Sequence, residues 1–234
     1  PGHRPEPPAS RWRPSLGTVV SMIDERIRRL RTDYESMPLS TAHVADDPFE
    51  QFDSWFGEAI AAEVDEPNAM ILSTVGSNGA PSARTVLMKA VDPTGFVFYT
   101  NAGSRKGEEI AAEPRVSLLF VWLTLHRQVR VEGTASRVSD AEADSYFTSR
   151  PIEAQISAAA SPQSSVIPSR RWLEDRVAAL RASGSDPIAR PPSWCGYRVT
   201  PSTFEFWQGR PNRLHDRIRY EPDGDEWAKA RLAP

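Results

Sequence analysis

Between Arg84 and Lys106 the chain reads RTVLMKAVDPTGFVFYTNAGSRK, with Arg84, Lys89, Arg105 and Lys106 set against one acid, Asp92. Clustered guanidinium and ammonium groups bind anions through charge-assisted hydrogen bonds, and phosphate is the anion they meet best. Ser104 opens a helix-like segment, SRKGEEIAAE. A helix N-terminus adds unpaired N–H groups and a partial positive charge. Arg84, Arg105 and Lys106 thus make a candidate phosphate cradle, although the same residues would also serve as solvated surface cations. A second constellation lies in FEFWQGRPNRLHDR, from Phe204 to Arg217. Arg213, His215 and Arg217 alternate there, so an extended chain would turn all three to one side. Standing alone, that pattern is more often an ordinary cationic loop.

The elements that must carry these residues are mostly strands. Residues 84–91 and 96–100 read as an antiparallel hairpin turned by Asp92-Pro93-Thr94-Gly95. Asn68 to Val75 reads as a strand, and Asn78-Gly79 as the hairpin turn that leads to Arg84. Arg115–Leu123 and Gln128–Val138 form another pair, followed by strands near 195–200 and 203–208 and a last hairpin around Asp223-Gly224. Asp47-Pro48-Phe49-Glu50 is a helix start, with Phe52, Trp55, Phe56 and Ile60 as its apolar stripe. Helices are also expected at 104–113, at 139–149 behind a Ser139/Glu142 capping box, and at 169–182. Residues 151–167 show no period and read as a loop, and Pro187 to Pro192 as a connector. Consecutive strands with tight turns imply antiparallel pairing, and this many imply a barrel or sandwich with the helices outside. Residues 1–17 read as a disordered tail, and 18–34 as a basic amphipathic helix extending a single domain that runs to 234.

Composition removes several classes of function. The net charge is −3, so the cations are local, and the broad basic face of a nucleic-acid binder is not expected. Cys195 is the single cysteine, which precludes an internal disulfide and fits a reducing, cytoplasmic compartment. His3, His43, His126 and His215 lie far apart, without metal-ligand spacing. The apolar runs, such as VSLLFVWL at 116–123, are too short to span a bilayer as helices, and the start of the chain has no signal-peptide core. The chain begins with Pro and not Met, which points to a start that is missing or processed.

Two motifs together carry a family resemblance. FEFWQGRPNRLHDR resembles the C-terminal signature of the pyridoxine/pyridoxamine 5′-phosphate oxidases, and the R-x-V-L-x-K and Y-T-N-x-x-S-R-K parts of Arg84–Lys106 resemble that family's flavin-binding segment. The resemblance runs from about Leu30 to the terminal RLAP. It implies an antiparallel split β-barrel that forms a homodimer and binds FMN at the interface. It also implies oxidation of pyridoxamine or pyridoxine 5′-phosphate to pyridoxal 5′-phosphate, with oxygen reduced to hydrogen peroxide. Residue by residue, it gives Arg84, Arg105 and Lys106 to the FMN phosphate. Thr85, Val86, Leu87, Met88, Lys89, Tyr99 and Thr100 would line the flavin, with Gln128, Gln163, Ser164, Trp207 and Arg217 completing its pocket. Lys89, Tyr146 and Arg150 match the family's substrate-phosphate anchors. Arg213, Leu214 and His215 match the segment over the substrate ring, where Arg213 and His215 take the catalytic roles, while Arg31 and Tyr34 match a segment that closes over the substrate.

Departures from the family pattern cluster on the substrate side. Ala154 stands where a Ser is usual, Ser157 where a Gly is, Ala159 where a Trp is, and Thr32 where a second Arg is common. The alternatives are a sister flavin oxidase of the phenazine-biosynthesis type and a non-catalytic flavin or pyridoxal-phosphate carrier. The trio Lys89, Tyr146 and Arg150 weighs against a substrate without phosphate.

Overall fold

The computed structural model describes residues 38–184 and 188–234. The expected tail at 1–17, the helix at 18–34 and residues Arg31, Thr32 and Tyr34 lie outside the described residues. One sheet of nine antiparallel strands runs through the described chain: β1 Ala69–Val75, β2 Pro81–Leu87, β3 Ala90–Asp92, β4 Gly95–Asn101, β5 Arg115–Trp122, β6 Arg127–Arg137, β7 Trp194–Gln208, β8 Asp216–Asp223 and β9 Glu226–Leu232. The main path is β2-β1-β5-β6-β7-β4-β3, with β8 and β9 branching from β7.

The branch exists because β7 is long. Its first half pairs with β4, its second half with β8, and β6 pairs along its other edge. The two expected strands at 195–200 and 203–208 are thus one, and the Thr-Pro-Ser step between them is absorbed by a register shift opposite Glu132/Gly133. A proline tolerates this position because the bulge removes the ladder bond it cannot donate. The expected strand 84–91 is in turn two. Met88 N–H donates to Asn68 O and Lys89 N–H to Val97 O, so the chain steps from the β1 side of the sheet to the β4 side at that point. That step brings the two ends of the strand path together and curls the sheet into a half-barrel.

The curled sheet encloses an aromatic core. Phe96, Phe98, Phe120, Phe204 and Phe206 are fully buried, and alternation on β5 and β6 turns every second residue inward. Helix α1, Pro48–Ala61, starts as its sequence predicts, with the Asp47 side chain accepting from Phe49 N–H. Phe52 packs edge-on to Phe96 and Phe120 at ring distances of 4.9 and 5.0 Å. Losing such a ring costs about 3–5 kcal/mol. Ile60 departs from its expected core role at 55% exposed, because Ala59 takes the centre of the stripe in the last turn.

The other helices are α2 Arg105–Ala112, α3 Asp140–Ser149, α4 Ile152–Ala160 and α5 Arg170–Ala182. Helix α4 replaces the loop expected there. It lacks a capping side chain, which hid its start, but its Ala-rich sequence favours helix. Buried Gln155 fixes its place, donating to the Thr148 and Arg150 carbonyls at the end of α3 and accepting from Ile188 N–H. Ala143, Phe147, Ile156, Ile188 and Trp194 form a second, smaller core under these helices.

Candidate active site

A cavity of about 820 Å³ opens between β2, β4, the N-terminus of α2 and the α3–α4 junction. That is room for a small organic ligand of cofactor size. Its wall holds Arg84, Thr85, Val86, Leu87, Lys89, Tyr99, Thr100, Arg105, Lys106, Tyr146, Arg150, Gln163 and Ser164 from the sequence-predicted set. One side is β2, an end strand of the sheet path whose outer edge has backbone groups to offer a ligand. Met88 departs from expectation. Its side chain is buried in the core, and its N–H and carbonyl are both bonded to Asn68.

The cations are held firmly. Ser104 caps α2, accepting from Gly107 N–H and donating to Asn101 O. Buried Lys106 donates to Thr100 Oγ1, Ser104 Oγ and Gln163 Oε1 at 3.0–3.1 Å. Burial, then the charge of Arg84, pushes its pKa down, which is the strain expected of an ammonium waiting beside another cation. Arg84 spans Leu72 O, Thr74 Oγ1, Ser82 Oγ and Glu109 Oε2. Ser164 completes the wall in a left-handed conformation, φ 70°, which is uncommon for a residue other than glycine.

A second cationic locus sits at the α3–α4 junction. Tyr146 is on α3, and Arg150 lies just past its end. Helix α3 ends at Ser149, and Arg150 is its extended C-cap. The two side chains meet at Trp194. The Arg150 guanidinium lies 5.2 Å from the Trp194 ring centre, and Tyr146 is stacked near the same ring and on Tyr99 at 4.0 Å. Arg150 Nη1 is buried with no hydrogen-bond partner among the described residues, and burial pushes the guanidinium pKa down. An orphaned cationic donor in a cavity wall fits an anionic ligand group. Two cationic loci in one cavity fit a phosphorylated flavin together with a second anionic molecule.

The remaining predicted residues lie elsewhere on the chain. Gln128, Trp207 and Arg217 are direct cross-strand neighbours on β6, β7 and β8 and so share a face. The His215 ring sits 4.7 Å from that of Trp207. Arg213 and Leu214 are exposed, and the expected alternation of Arg213, His215 and Arg217 along a strand is not seen. Asn212 and Arg213 take left-handed conformations in a short turn, and β8 begins only at Asp216. None of these side chains lines the cavity. His215 Nδ1 accepts from Arg210 N–H, which leaves the ring proton on Nε2, and burial followed by the Arg213 charge pushes its pKa down. Trp194, Gln155 and Glu109 are site-building residues that the sequence motifs do not single out. Only Trp194 carries a signal, a large aromatic at the mouth of a strand.

Residues 56–184 match the family model described as pyridoxamine 5′-phosphate oxidase, and residues 194–234 match the pyridoxine 5′-phosphate oxidase C-terminal dimerisation region. A protein named pyridoxine/pyridoxamine 5′-phosphate oxidase from Thermosynechococcus vestitus is 52% identical over 209 residues, covering 89% of this chain and 99% of that protein. One of the same name from Burkholderia lata is 53% identical over 208 residues, covering 88% and 97%. Among solved structures, PhzG from Burkholderia lata in complex with tetrahydrophenazine-1-carboxylic acid has a TM-score of 0.80 at 32% identity, over 85% of this chain and 99% of that one. A pyridoxamine 5′-phosphate oxidase-related, FMN-binding protein from Nostoc punctiforme shares the fold, with a TM-score of 0.64 at 19% identity, over 78% of this chain and 97% of that one.

Proposed function

The chain belongs to the pyridoxamine 5′-phosphate oxidase family, and from that premise we propose that it converts pyridoxamine or pyridoxine 5′-phosphate to pyridoxal 5′-phosphate, with FMN as cofactor and oxygen as electron acceptor. The observation that carries the substrate reading is the pair of cationic loci in one cavity. Arg84, Arg105 and Lys106 would hold the flavin phosphate at α2, and Arg150, Lys89 and Tyr146 the substrate phosphate at the α3–α4 junction. FMN held there would supply the two-electron oxidation of the substrate carbon, with oxygen reduced to hydrogen peroxide; the alcohol would give the aldehyde directly, and the amine would give it with uptake of one water and release of ammonia. The protein's part is to bind and orient. Thr85 to Leu87, Tyr99, Thr100, Gln163 and Ser164 would frame the flavin.

Gln128, Trp207, Arg213, Leu214, His215 and Arg217 would act in the cavity of a second copy. The dimerisation-region match over 194–234 supports a homodimer. Arg213 and His215 would then lie over the substrate ring, His215 neutral and Arg213 carrying the charge. We place the protein in the cytoplasm, since its one cysteine, Cys195, is a buried thiol whose pKa burial raises.

The likeness to PhzG supports a second reading, a sister oxidase acting on a carboxylate, which Arg150 would also accept. Ala154, lining the cavity where the family pattern has a hydroxyl, favours it too. A peroxide assay on purified protein separates the two readings. Peroxide released with pyridoxamine or pyridoxine 5′-phosphate is the expected result. Flavin binding without turnover of either compound would overturn the substrate reading, and a bare carrier would consume no oxygen.

A further inference from the structure

Glu109 is a carboxylate with only 7% of its side chain exposed, on a helix whose other buried side chains are Lys106 and the apolar Ile110. Burying a carboxylate is costly unless it is paired and hydrogen-bonded. Its bonds all run to the cavity's arginines and their support. Oε1 accepts from Arg105 Nε at 2.8 Å, and Oε2 accepts from Arg84 Nη2 at 2.9 Å and from Thr74 Oγ1 at 2.5 Å. Thr74 Oγ1 in turn accepts from Arg84 Nη1. Burial raises the Glu109 pKa, but the hydrogen bonds from Thr74, Arg105 and Arg84 outweigh it and hold the carboxyl ionised.

Arg84 and Arg105 line the cavity, whereas Glu109 does not. The Arg105 side chain is 64% exposed, and its pairing through Nε leaves the two terminal nitrogens for the cavity. Untethered, so long a side chain would lose rotamer freedom only when a ligand arrived, and the ligand's affinity would fall accordingly. The three cations with one buried anion leave two uncompensated positive charges, the complement of a phosphoryl dianion.

We infer that Glu109 is a positioning residue of the phosphate cradle, holding Arg84 and Arg105 from outside the cavity in the arrangement that receives a phosphoryl dianion. This rests on the reading that the cavity takes FMN. The test titrates flavin-free protein with FMN and with riboflavin, which lacks the phosphate, following flavin fluorescence and melting temperature. The wild type should prefer FMN. Glu109→Ala should weaken FMN about ten-fold or more while riboflavin binding stays unchanged, and Glu109→Gln should recover part of the loss, since its amide oxygen still accepts from Arg105 Nε. An unchanged FMN-to-riboflavin ratio in either folded variant, or tighter FMN binding, would overturn the inference and make Glu109 a packing or counter-charge residue. If the alanine variant does not fold, the glutamine variant carries the comparison alone, with a smaller loss expected. A wild type that bound FMN no better than riboflavin would instead overturn the cofactor reading itself.

Discussion

At position 154 a methyl group forms part of the cavity wall, as does Arg150, whose buried Nη1 has no partner among the described residues. A hydroxyl there would give a bound phosphate one more donor. A hydrogen bond to a charged group is worth about 1.5–3 kcal/mol, or roughly ten-fold or more in affinity. Ala154→Ser is therefore expected to lower the Michaelis constant for pyridoxamine 5′-phosphate about ten-fold with kcat little changed, the pattern of added uniform binding. Steady-state kinetics decide it, and an unchanged or higher constant would mean that no phosphate sits at that wall. His215 offers a second test. Its pKa is lowered by burial and then by Arg213, so protonation is deferred to a lower pH than for a free imidazole. The unfolded chain takes the proton first, and this residue's contribution to stability falls as pH drops through that window. Arg213→Ala removes one lowering cause, and the His215 pKa followed by NMR should rise. A fall would show that Arg213 does not act on the ring. Charge and spacing along the chain mark Arg84, Lys106 and His215 as candidates, and the first two line the cavity. The same signals do not mark Glu109, because a Glu four residues after Arg105 reads as a surface helix pair, and only the packing of α2 against Thr74 buries it.

Elements place these residues through close backbone approach. Helix α2 presents its N-terminus to the cavity because Gly107 lets it press on Ala102. A Cβ at 107 would stand 2.3 Å from the Ala102 carbonyl oxygen. Backbone cannot move aside as a flexible side chain can, so Gly107→Ala should cost roughly 1–3 kcal/mol and weaken FMN as Ser104 and Lys106 shift. Thermal unfolding and flavin titration check both effects, and a stable variant with wild-type affinity would show that α2 has slack. Gly196 on β7 makes room for side chains instead, since a Cβ there would stand 2.7 Å from both the Tyr99 ring and Val138 Cγ2. Most elements are legible from local signals. Asp47, Ser104 and Ser139 each cap the helix their sequence predicts. The features that escape such signals are fixed by distant partners. The step at Met88 and Lys89 depends on Asn68 and Val97, and α4 is placed by Gln155 reaching α3 and Ile188. The turn at Asn212 and Arg213 escapes for a different reason. A period of two suggests a strand, but Pro211 and the left-handed pair break it.

On the scale of the molecule, one chain holds the predicted residues in two separate places. The cavity has both cationic loci, while Gln128, Trp207 and Arg217 share a face on β6, β7 and β8 with His215 stacked at its edge. Arg217 is set in that face by its pairing to buried Glu205 at 2.7 Å and a bond to the Ala233 carbonyl near the C-terminus. The segment 194–234 that carries much of this face is the part matched to a dimerisation region. A two-fold dimer uses the same surface on both copies, so a face that serves the partner's cavity is served in return. The motif resemblance implies an interface site, but motifs rank residues along one chain and not by the copy each would serve. Arg84→Ala with Lys106→Ala disables the cavity of its own chain, and Trp207→Ala with Arg217→Ala disables the face lent to the other. Either homodimer should purify without flavin. Unfolded together and refolded, equal amounts should give hybrids in about half of the dimers, each with one site built wholly from unaltered residues. Flavin content and peroxide release should then return to about a quarter of the wild-type level. No recovery, with hybrid formation verified by differently tagged chains, would place both residue sets in the same chain's site and overturn the shared-site reading.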